Sequence, residues 1–248
     1  MPILPVIDLK HGQVVRAVAG QRDQYQPIKS PLATDAHPAS IAQAFVDNYS
    51  CRSAYVADLD AISGSEPNWR SIRAIADCGL DLWLDIGIKT AQHVFQLREF
   101  FCEDVRLDAI IVALEAARDP DTVESLFRAV DDTKRAVFSL DLQNGQPMTC
   151  ALPWSNATPT TIANNAIKMG FRRLIALDVS AVGVGHGPVL ESTCREIRLG
   201  HNDIQLTSGG GVRNMDDVCR FLNAGCDFVL VSSALHDGRL DAASIALL

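Results

Sequence analysis

The sequence contains no apolar run of about 18 residues, the length that a membrane-spanning helix requires. Its first residues, Met1–Pro5, lack the basic and apolar regions of a secretory signal peptide. Seven cysteines are present, an odd number without a Cys-x-x-Cys pair, so we expect buried, reduced thiols. These absences argue against a membrane protein or a secreted protein and predict a cytoplasmic one.

Basic residues are fewer than acidic ones, and the formal net charge is −8. A surface of that sign does not favour nucleic acid or an anionic membrane as a partner, although it is compatible with a local basic pocket. No group of histidines and carboxylates has the spacing of metal ligands. We therefore expect no nucleic acid, no membrane and no bound metal.

The sequence does contain a glycine-rich turn, Ser208–Arg213, between a short apolar run and a helical pattern. Glycines let the backbone approach a ligand closely, and N–H groups that precede a helix bind anions. A second apolar run, Phe228–Val231, opens into small polar residues. Paired loops after strands seven and eight of a (β/α)8 barrel commonly hold phosphate. We predict a phosphate site; a turn without a ligand is the alternative. The site would comprise Ser208, Gly209, Gly210, Gly211, Arg213, Ser232, Ser233 and Ala234.

Eight short apolar runs alternate with helical patterns along the 248 residues. Strands so short and apolar indicate a parallel sheet that is buried on both faces. The length is typical of a closed barrel. We predict one α/β domain, residues 1–248, with a (β/α)8 TIM barrel; a doubly wound open sheet is the alternative. The predicted strands are Pro5–Leu9, Ala54–Leu59, Leu80–Leu84, Ala109–Val112, Ala136–Asp141, Arg173–Asp178, Ile204–Thr207 and Phe228–Val231.

The two halves of the chain resemble each other. Asp8–Gln13 matches Asp141–Gln146, and Gly87–Lys89 matches Gly211–Arg213. Matches in the same order at nearly constant spacing indicate an internal repeat. The sequence therefore predicts a twofold-duplicated barrel with half-barrels of approximately 1–130 and 131–248.

Aspartates end several of the predicted strands. The C-terminal ends of barrel strands face the active site, so Asp8 and Asp141 should point into one mouth from opposite sides. Either aspartate alone is more typical of a turn, but a symmetric pair above a phosphate site favours catalysis, since two carboxyl groups with different pKa values can serve as general base and general acid. We predict both as catalytic. Asp58 and Asp178 are interpreted as structural aspartates at the rim, and His186 and His236 are expected on mouth loops.

These motifs resemble the HisA/HisF family of histidine biosynthesis, twofold-duplicated barrels that act on phosphoribosyl substrates. The resemblance covers the whole chain and is carried by residues 5–16, 55–59, 137–141, 208–213 and 229–238. The HisA branch is closer, through residues 137–141 and Trp154. It implies an aldose–ketose isomerase, an intramolecular oxidoreductase that performs an Amadori rearrangement without metal or organic cofactor.

By this resemblance Asp8 is the base that moves the proton between C1 and C2, and Asp141 is the acid that opens the ribose ring. The expected partner is a small phosphorylated substrate, and the expected assembly is a monomer or small homo-oligomer. The further substrate-pocket candidates are Arg16, Asp58, Asp85, Lys89, Trp154, Asp178 and Val184.

Three stretches depart from the family pattern. Residues 85–89 replace a second glycine-rich loop, residues 113–115 replace a small polar pair, and Val184 stands where the family has a threonine. The carboxylates of Asp85 and Glu115 would repel a phosphate dianion. We therefore expect a substrate other than the doubly phosphorylated intermediate of histidine synthesis.

Residues 27–31, Pro-Ile-Lys-Ser-Pro, also resemble a divergent subgroup found beside tetrahydromethanopterin-dependent one-carbon genes. Three functions stay open. The first is an isomerase of a singly phosphorylated sugar or aminosugar. The second is a lyase or condensing enzyme of one-carbon cofactor synthesis that uses Lys89 or Asp85, and the third is a non-catalytic phosphate-ligand-binding protein. Retention of both Asp8 and Asp141 favours an enzyme.

Overall fold

Eight parallel strands pair in chain order, and the last strand pairs with the first. In this computed structural model, which describes residues 1–101, 106–149, 151–185 and 187–248, Ile3 lies opposite Val229 at the closure. The predicted (β/α)8 TIM barrel is therefore confirmed, and the alternative of a doubly wound open sheet is wrong. The strands are β1 Ile3–Lys10, β2 Ser53–Asp58, β3 Asp81–Asp85, β4 Leu107–Ala113, β5 Ala136–Gln143, β6 Arg173–Asp178, β7 Gln205–Gly209 and β8 Phe228–Val231.

Helices connect successive strands on the outside of the barrel. Several begin at a proline, whose fixed φ suits the first helical turn. The main helices are α1 Pro38–Tyr49, α2 Trp69–Ala76, α3 Ala91–Phe100, α4 Pro120–Val130, α5 Pro159–Met169, α6 Glu191–Gly200, α7 Met215–Asn223 and α8 Ala242–Ile245. Short helical turns lie at Arg22–Gln24, Leu59–Ile62, Leu114–Ala116, Leu152–Trp154, Val179–Ala181 and Ser233–His236.

Two apolar layers stabilise the barrel. The outer layer packs strand residues such as Phe138 against helix residues such as Phe45. The inner layer fills the barrel and includes Trp83 and Ile111. Arg173 lies 4.3 Å over the Trp83 ring, near the N-terminal ends of the strands. Because side chains fill the interior, a ligand has room at the ends of the barrel rather than along its axis.

The main departure from the predicted elements is a hairpin after β1. Gln13–Arg16 pairs antiparallel with β1, and Gln26–Pro27 extends that pairing. Val14 and Val15 are buried, so this segment is anchored rather than a free loop. We call residues 11–37, which connect β1 to α1, loop 1.

Both halves of the barrel contain the same tight turn. His11 and Gly12 have φ values of 52° and 74°, and Asn144 and Gly145 have 51° and 75°. Paired positive φ values are typical of a two-residue hairpin turn, which favours Asn and Gly. The match supports the predicted relation between half-barrels, which stays a prediction.

Five cysteines lie in the described ranges, and none forms a disulfide there. Cys51, Cys194 and Cys226 are buried, whereas Cys78 and Cys219 are half-buried; Cys102 and Cys150 lie outside the described residues. Over the part of the chain that the structure describes, the helices are too short or too polar to cross a bilayer.

Candidate active site

The C-terminal strand ends surround one cavity of about 420 Å³. Asp8 of β1, Asp85 of β3 and Asp141 of β5 line it. Their relative exposures are 8%, 5% and 7%, so each residue is more than nine-tenths buried. Three carboxyl groups with so little water make the site electrostatically unusual, since a buried charge requires a compensating partner.

Asp8 accepts no hydrogen bond from any of the described residues. Burial raises the pKa of this carboxyl group from 3.8 to about 7, and the guanidinium of Arg22 opposes that rise. Near neutral pH the group therefore exists in both protonation states. A carboxyl group of this kind is suited to exchange a proton with a ligand.

Asp141 has its own partners. The hydroxyl of Ser139 donates to Asp141 Oδ1 at 2.7 Å, and the backbone N–H of Glu115 donates to Oδ2 at 3.4 Å. Burial, followed by the charges of Glu115 and Asp85, raises the pKa of Asp141 to about 8. The proton is thus held more tightly here than at Asp8, as a general acid requires.

Asp85 is bound on both oxygens. The N–H of Gly87 donates to Oδ1 at 2.8 Å, and the hydroxyl of Tyr55 donates to Oδ2 at 3.1 Å. Burial raises the pKa of Asp85 to about 6, while the bond from Gly87 lowers it. Burial, and then the nearby carboxylates, raise the pKa of Tyr55 well above its ordinary value, so its hydroxyl stays a donor.

Glu115 joins these groups from the turn after β4 and pairs with a cation. Its Oε1 lies 2.5 Å from Arg22 Nη2. We call Asp85, Glu115 and Asp141 the acidic cluster. Arg22 neutralises Glu115, and the two aspartates are left without an ion-pair partner among the described residues. Sequence reasoning predicted the carboxylates at 85 and 115 but missed Arg22.

Arg22 reaches the cavity because loop 1 folds across the barrel mouth. The N–H of Ala19 donates to Val182 O at 2.7 Å, and Lys10 Nζ donates to Arg22 O at 2.6 Å. Gly183 has φ +72°, and a Cβ there would lie 2.0 Å from Ala17 O. Only glycine fits this contact. The unusual length of loop 1 was the available signal, since long loops in compact domains are often functional.

The opposite side of the cavity has the features of an anion site. Gly210, Gly211, Ser232 and Ser233 line it, and the two glycines have φ +93° and +75°. Within the described ranges, the N–H groups of Gly210, Gly211 and Ser232 donate to no other residue. Free backbone donors beside small residues are what a phosphate group binds.

Two arginines complete that side. Arg16 and Arg239 line the cavity, and both form ion pairs with Asp237, the Arg239 contact at 2.9 Å. Two guanidinium groups share one carboxylate, which leaves a net positive charge. The two sides of the cavity therefore differ in charge: the side near β8 is cationic, and the side near β3 to β5 is acidic. Arg239 was not among the predicted residues.

Four of the predicted phosphate-site residues do not line the cavity. Ser208 is buried and donates to Ala176 O at 2.8 Å, and Arg213 Nε donates to Asp217 at 2.7 Å. Gly209 packs against Leu230, where a Cβ would lie 2.6 Å from the nearest atom. Ala234 is also buried. These residues shape the anion side from behind rather than facing it.

Four of the pocket candidates also lie outside the cavity lining. Asp58 accepts from Asn68 N at 2.6 Å, and Asp178 accepts from Gly145 N at 2.7 Å, as expected of structural rim aspartates. Trp154 is 2% exposed and belongs to the outer core, and Lys89 is exposed. Their bonds and packing hold these side chains away from the mouth.

Four further residues were named from the sequence. Val184 and Arg16, both substrate-pocket candidates, line the cavity. His236, expected on a mouth loop, is buried at 1% exposure, with Nδ1 3.0 Å from Ser30 Oγ. Its ring packs 5.0 Å from that of Phe45, so it stabilises the base of loop 1. His186 lies outside the described residues.

Comparison with known proteins places this cavity in a family context. The model of the family "Histidine biosynthesis protein" matches residues 2–241. An uncharacterized protein of Methanocaldococcus jannaschii is 29% identical over 245 residues, 99% of this chain and 97% of the relative.

Two further relatives are named for an activity. They are named 1-(5-phosphoribosyl)-5-((5-phosphoribosylamino)methylideneamino)imidazole-4-carboxamide isomerase. The protein of Haloarcula marismortui is 29% identical over 254 residues, 99% of this chain and 96% of the relative. That of Acetivibrio thermocellus is 28% identical over 246 residues, 97% of this chain and 96% of the relative.

Proposed function

The chain belongs to the histidine biosynthesis protein family, and from this membership we propose that it is an aldose–ketose isomerase whose substrate carries a single phosphate. One observation carries the proposal. Asp8 and Asp141 are both more than nine-tenths buried and line the same cavity from strands on opposite sides of the barrel. Isomerisation needs one group that accepts a proton and one that donates it.

In the proposed Amadori rearrangement, Asp141 donates its proton to the ring oxygen of an aminoaldose as the bond from that oxygen to C1 breaks. The nitrogen lone pair forms the C=N bond that replaces it. Asp8 then takes the proton from C2 and delivers it to C1. The C2 hydroxyl releases its proton as the ketone forms, which restores Asp141.

The order of the two pKa values supports these roles. With a pKa of about 8, Asp141 is mostly protonated at neutral pH and can donate. With a pKa of about 7, Asp8 is about half ionised and can accept. The difference comes from the surroundings, because the charges of Glu115 and Asp85 act on Asp141 whereas Arg22 acts on Asp8.

The cationic side of the cavity supports the single phosphate. The unpaired N–H groups of Gly210, Gly211 and Ser232 supply donors, and Arg16 and Arg239 supply charge. Among the described residues, the acidic cluster offers no comparable group of unpaired N–H donors and arginines for a second phosphate. The name of these relatives contains two phosphoribosyl groups, so we infer that this chain acts on a different compound.

The alternatives have less support. Lys89, the candidate nucleophile of a lyase or condensing enzyme, is exposed and does not line the cavity. A purely binding protein does not need two buried carboxyl groups with raised pKa values. The link to one-carbon metabolism stays a prediction from residues 27–31.

The experiment is an isomerisation assay in deuterated water with a panel of aldose monophosphates and their N-aryl glycosylamines, followed by NMR. Wild-type protein should form ketose, and deuterium at C1 would show that the proton on Asp8 exchanges with solvent before it is delivered. Asp8→Asn and Asp141→Asn should each lower turnover at least about a hundredfold. Asp77→Asn, at an exposed aspartate, is the control and should keep full activity.

Two other outcomes would contradict the proposal. Full activity of Asp8→Asn or Asp141→Asn would return that residue to a structural role. Phosphate binding without turnover of any compound in the panel would favour the binding-protein alternative.

A further inference from the structure

The acidic side of the cavity has more negative groups than the protein itself compensates. Arg22 pairs with Glu115, one cation for one anion. Asp85 and Asp141 receive neutral donors from Tyr55, Gly87, Ser139 and the Glu115 N–H. Neutral donors satisfy hydrogen bonds but do not cancel the charges. Among the described residues, Asp85 therefore has no ion-pair partner of its own, and neither has Asp141 when it ionises.

Asp8 points to a ligand independently of that cluster. It is 8% exposed, lines the same cavity and accepts no hydrogen bond from the described residues. Buried polar groups in native proteins almost always have a partner. The carboxyl group of Asp8 is therefore open to whatever occupies the cavity, whether water or a ligand.

We propose that the substrate carries a protonated amine or amidine at the end remote from its phosphate, and that this cation binds at Asp85 with Glu115 beside it, while Asp141 keeps the proton that it donates. The proposal rests on the proposed function, because it takes the Gly210–Ser233 side as the phosphate end. A cation restores charge balance at the acidic cluster, and its N–H groups supply donors that carboxylates accept.

Two other occupants fit the cavity less well. A second phosphate would face three carboxyl groups with one arginine that is already paired, and like charges at short range repel. A sugar hydroxyl would donate one hydrogen bond and leave the charges uncompensated. Opposite charge within a few ångströms, by contrast, stabilises the ionised form of a buried carboxyl group.

Isothermal titration calorimetry separates these occupants with four probes: glucosamine 6-phosphate, glucose 6-phosphate, fructose 1,6-bisphosphate and inorganic phosphate. We expect glucosamine 6-phosphate to bind at least tenfold more tightly than glucose 6-phosphate. The bisphosphate should bind no more tightly than glucose 6-phosphate. Asp85→Asn should reduce the amine preference to threefold or less and leave the affinity for inorganic phosphate within twofold.

Glu115→Gln is a second variant that should weaken the same preference, in case Asp85→Asn folds poorly. Asp77→Asn is the control and should preserve it. Equal affinity for the two sugar monophosphates would assign the cluster to hydroxyl groups and overturn the proposal. A bisphosphate that binds tenfold more tightly than glucose 6-phosphate would overturn it as well.

A separate pair of probes, glucosamine and glucose, isolates this inference from the proposed function. If the protein preferred glucosamine over glucose but did not bind inorganic phosphate, the proposed phosphate site would be refuted. The proposed amine site at the acidic cluster would be supported. Loss of turnover in Asp8→Asn with the amine preference intact would show that catalysis and recognition are separate properties of the cavity. If the protein preferred neither glucosamine over glucose nor glucosamine 6-phosphate over glucose 6-phosphate, the inference that the acidic cluster binds an amine would be refuted. The proposed isomerase function would not be affected.

Discussion

Replacing Asp8 with asparagine should stabilise the fold above neutral pH, because the native protein buries a carboxyl group that resists ionisation. Its pKa is about 7 in the folded protein and about 3.9 in an unfolded chain. Below the unfolded value the group is neutral in both states. Between the two values only the unfolded chain releases the proton, so stability falls as the pH rises, and the loss is complete above pH 7.

The magnitude follows from these two pKa values. Each pKa unit corresponds to about 1.4 kcal/mol, so the full loss is about 4 kcal/mol. Part of that loss has already occurred at pH 5, and about 2.5 kcal/mol remains to be lost between pH 5 and pH 8. Asparagine has nearly the same shape and does not ionise. The stability advantage of Asp8→Asn over wild type should therefore grow by that amount over the interval.

Urea unfolding at pH 5 and pH 8, followed by tryptophan fluorescence, measures this difference, since Trp83 and Trp154 are buried. Free energies come from linear extrapolation. Asp77→Asn removes an exposed carboxyl group at the end of α2 and should show no such pH dependence. A gap between Asp8→Asn and wild type that is equal at the two pH values would refute the reasoning, because Asp8 would then be ionised at both.

Three further outcomes are expected. The pH dependence of kcat/KM should rise through about pH 7 as Asp8 ionises and fall through about pH 8 as Asp141 loses its proton; a flat profile from pH 6 to 9 would contradict these roles. Gly183→Ala should lower Tm by several degrees, since its Cβ would lie 2.0 Å from Ala17 O. Gly64→Ala, where the glycine has φ +98° but lies in open space, should lower Tm by less. Differential scanning calorimetry measures both decreases, and equal decreases would contradict the prediction. The gene should fail to restore growth without histidine in a bacterium that lacks the isomerase of that pathway, because the acidic cluster opposes a second phosphate; robust growth would show that the cluster is misinterpreted.

The barrel was predictable because its strands are nearly continuous apolar runs. Arg173–Asp178 and Phe228–Val231 were predicted with the bounds that the structure shows. Ile3–Lys10 is longer than predicted at both ends, since pairing with neighbouring strands extends a strand beyond its most apolar residues. The hairpin strand Gln13–Arg16 was missed because only four residues carry its pattern.

The candidate site was predictable only where a residue's position follows from its strand. Asp8, Asp85 and Asp141 lie near strand ends, and closure of the barrel brings them to one cavity. Arg22 was not predictable, because its position depends on a hydrogen bond from Ala19 to a residue far along the chain. Such contacts are tertiary, and no local pattern encodes them.

Arg213 illustrates a different kind of error. Its place after three glycines predicted a phosphate ligand, yet its guanidinium binds Asp217. The spacing of four residues, at which side chains on a helical turn meet, was visible in the sequence. Arg239, in contrast, follows the last barrel strand by eight residues and reaches the cavity through a turn and its pairing with Asp237.

The position of loop 1 connects access to the cavity with the acid strength of its carboxyl groups. Arg22 pairs with Glu115 and lowers the pKa values of both Asp8 and Asp85. If loop 1 moved away, Glu115 would lose its cation and Asp8 would lose the charge that favours its ionised form. Asp8 would also lose part of its burial, which is the larger influence on its pKa, so its pKa would fall towards that of an exposed aspartate. A raised pKa makes Asp8 a stronger base, and Arg22 keeps part of it ionised near neutral pH, so the position of loop 1 connects closure of the cavity with the protonation state of its base.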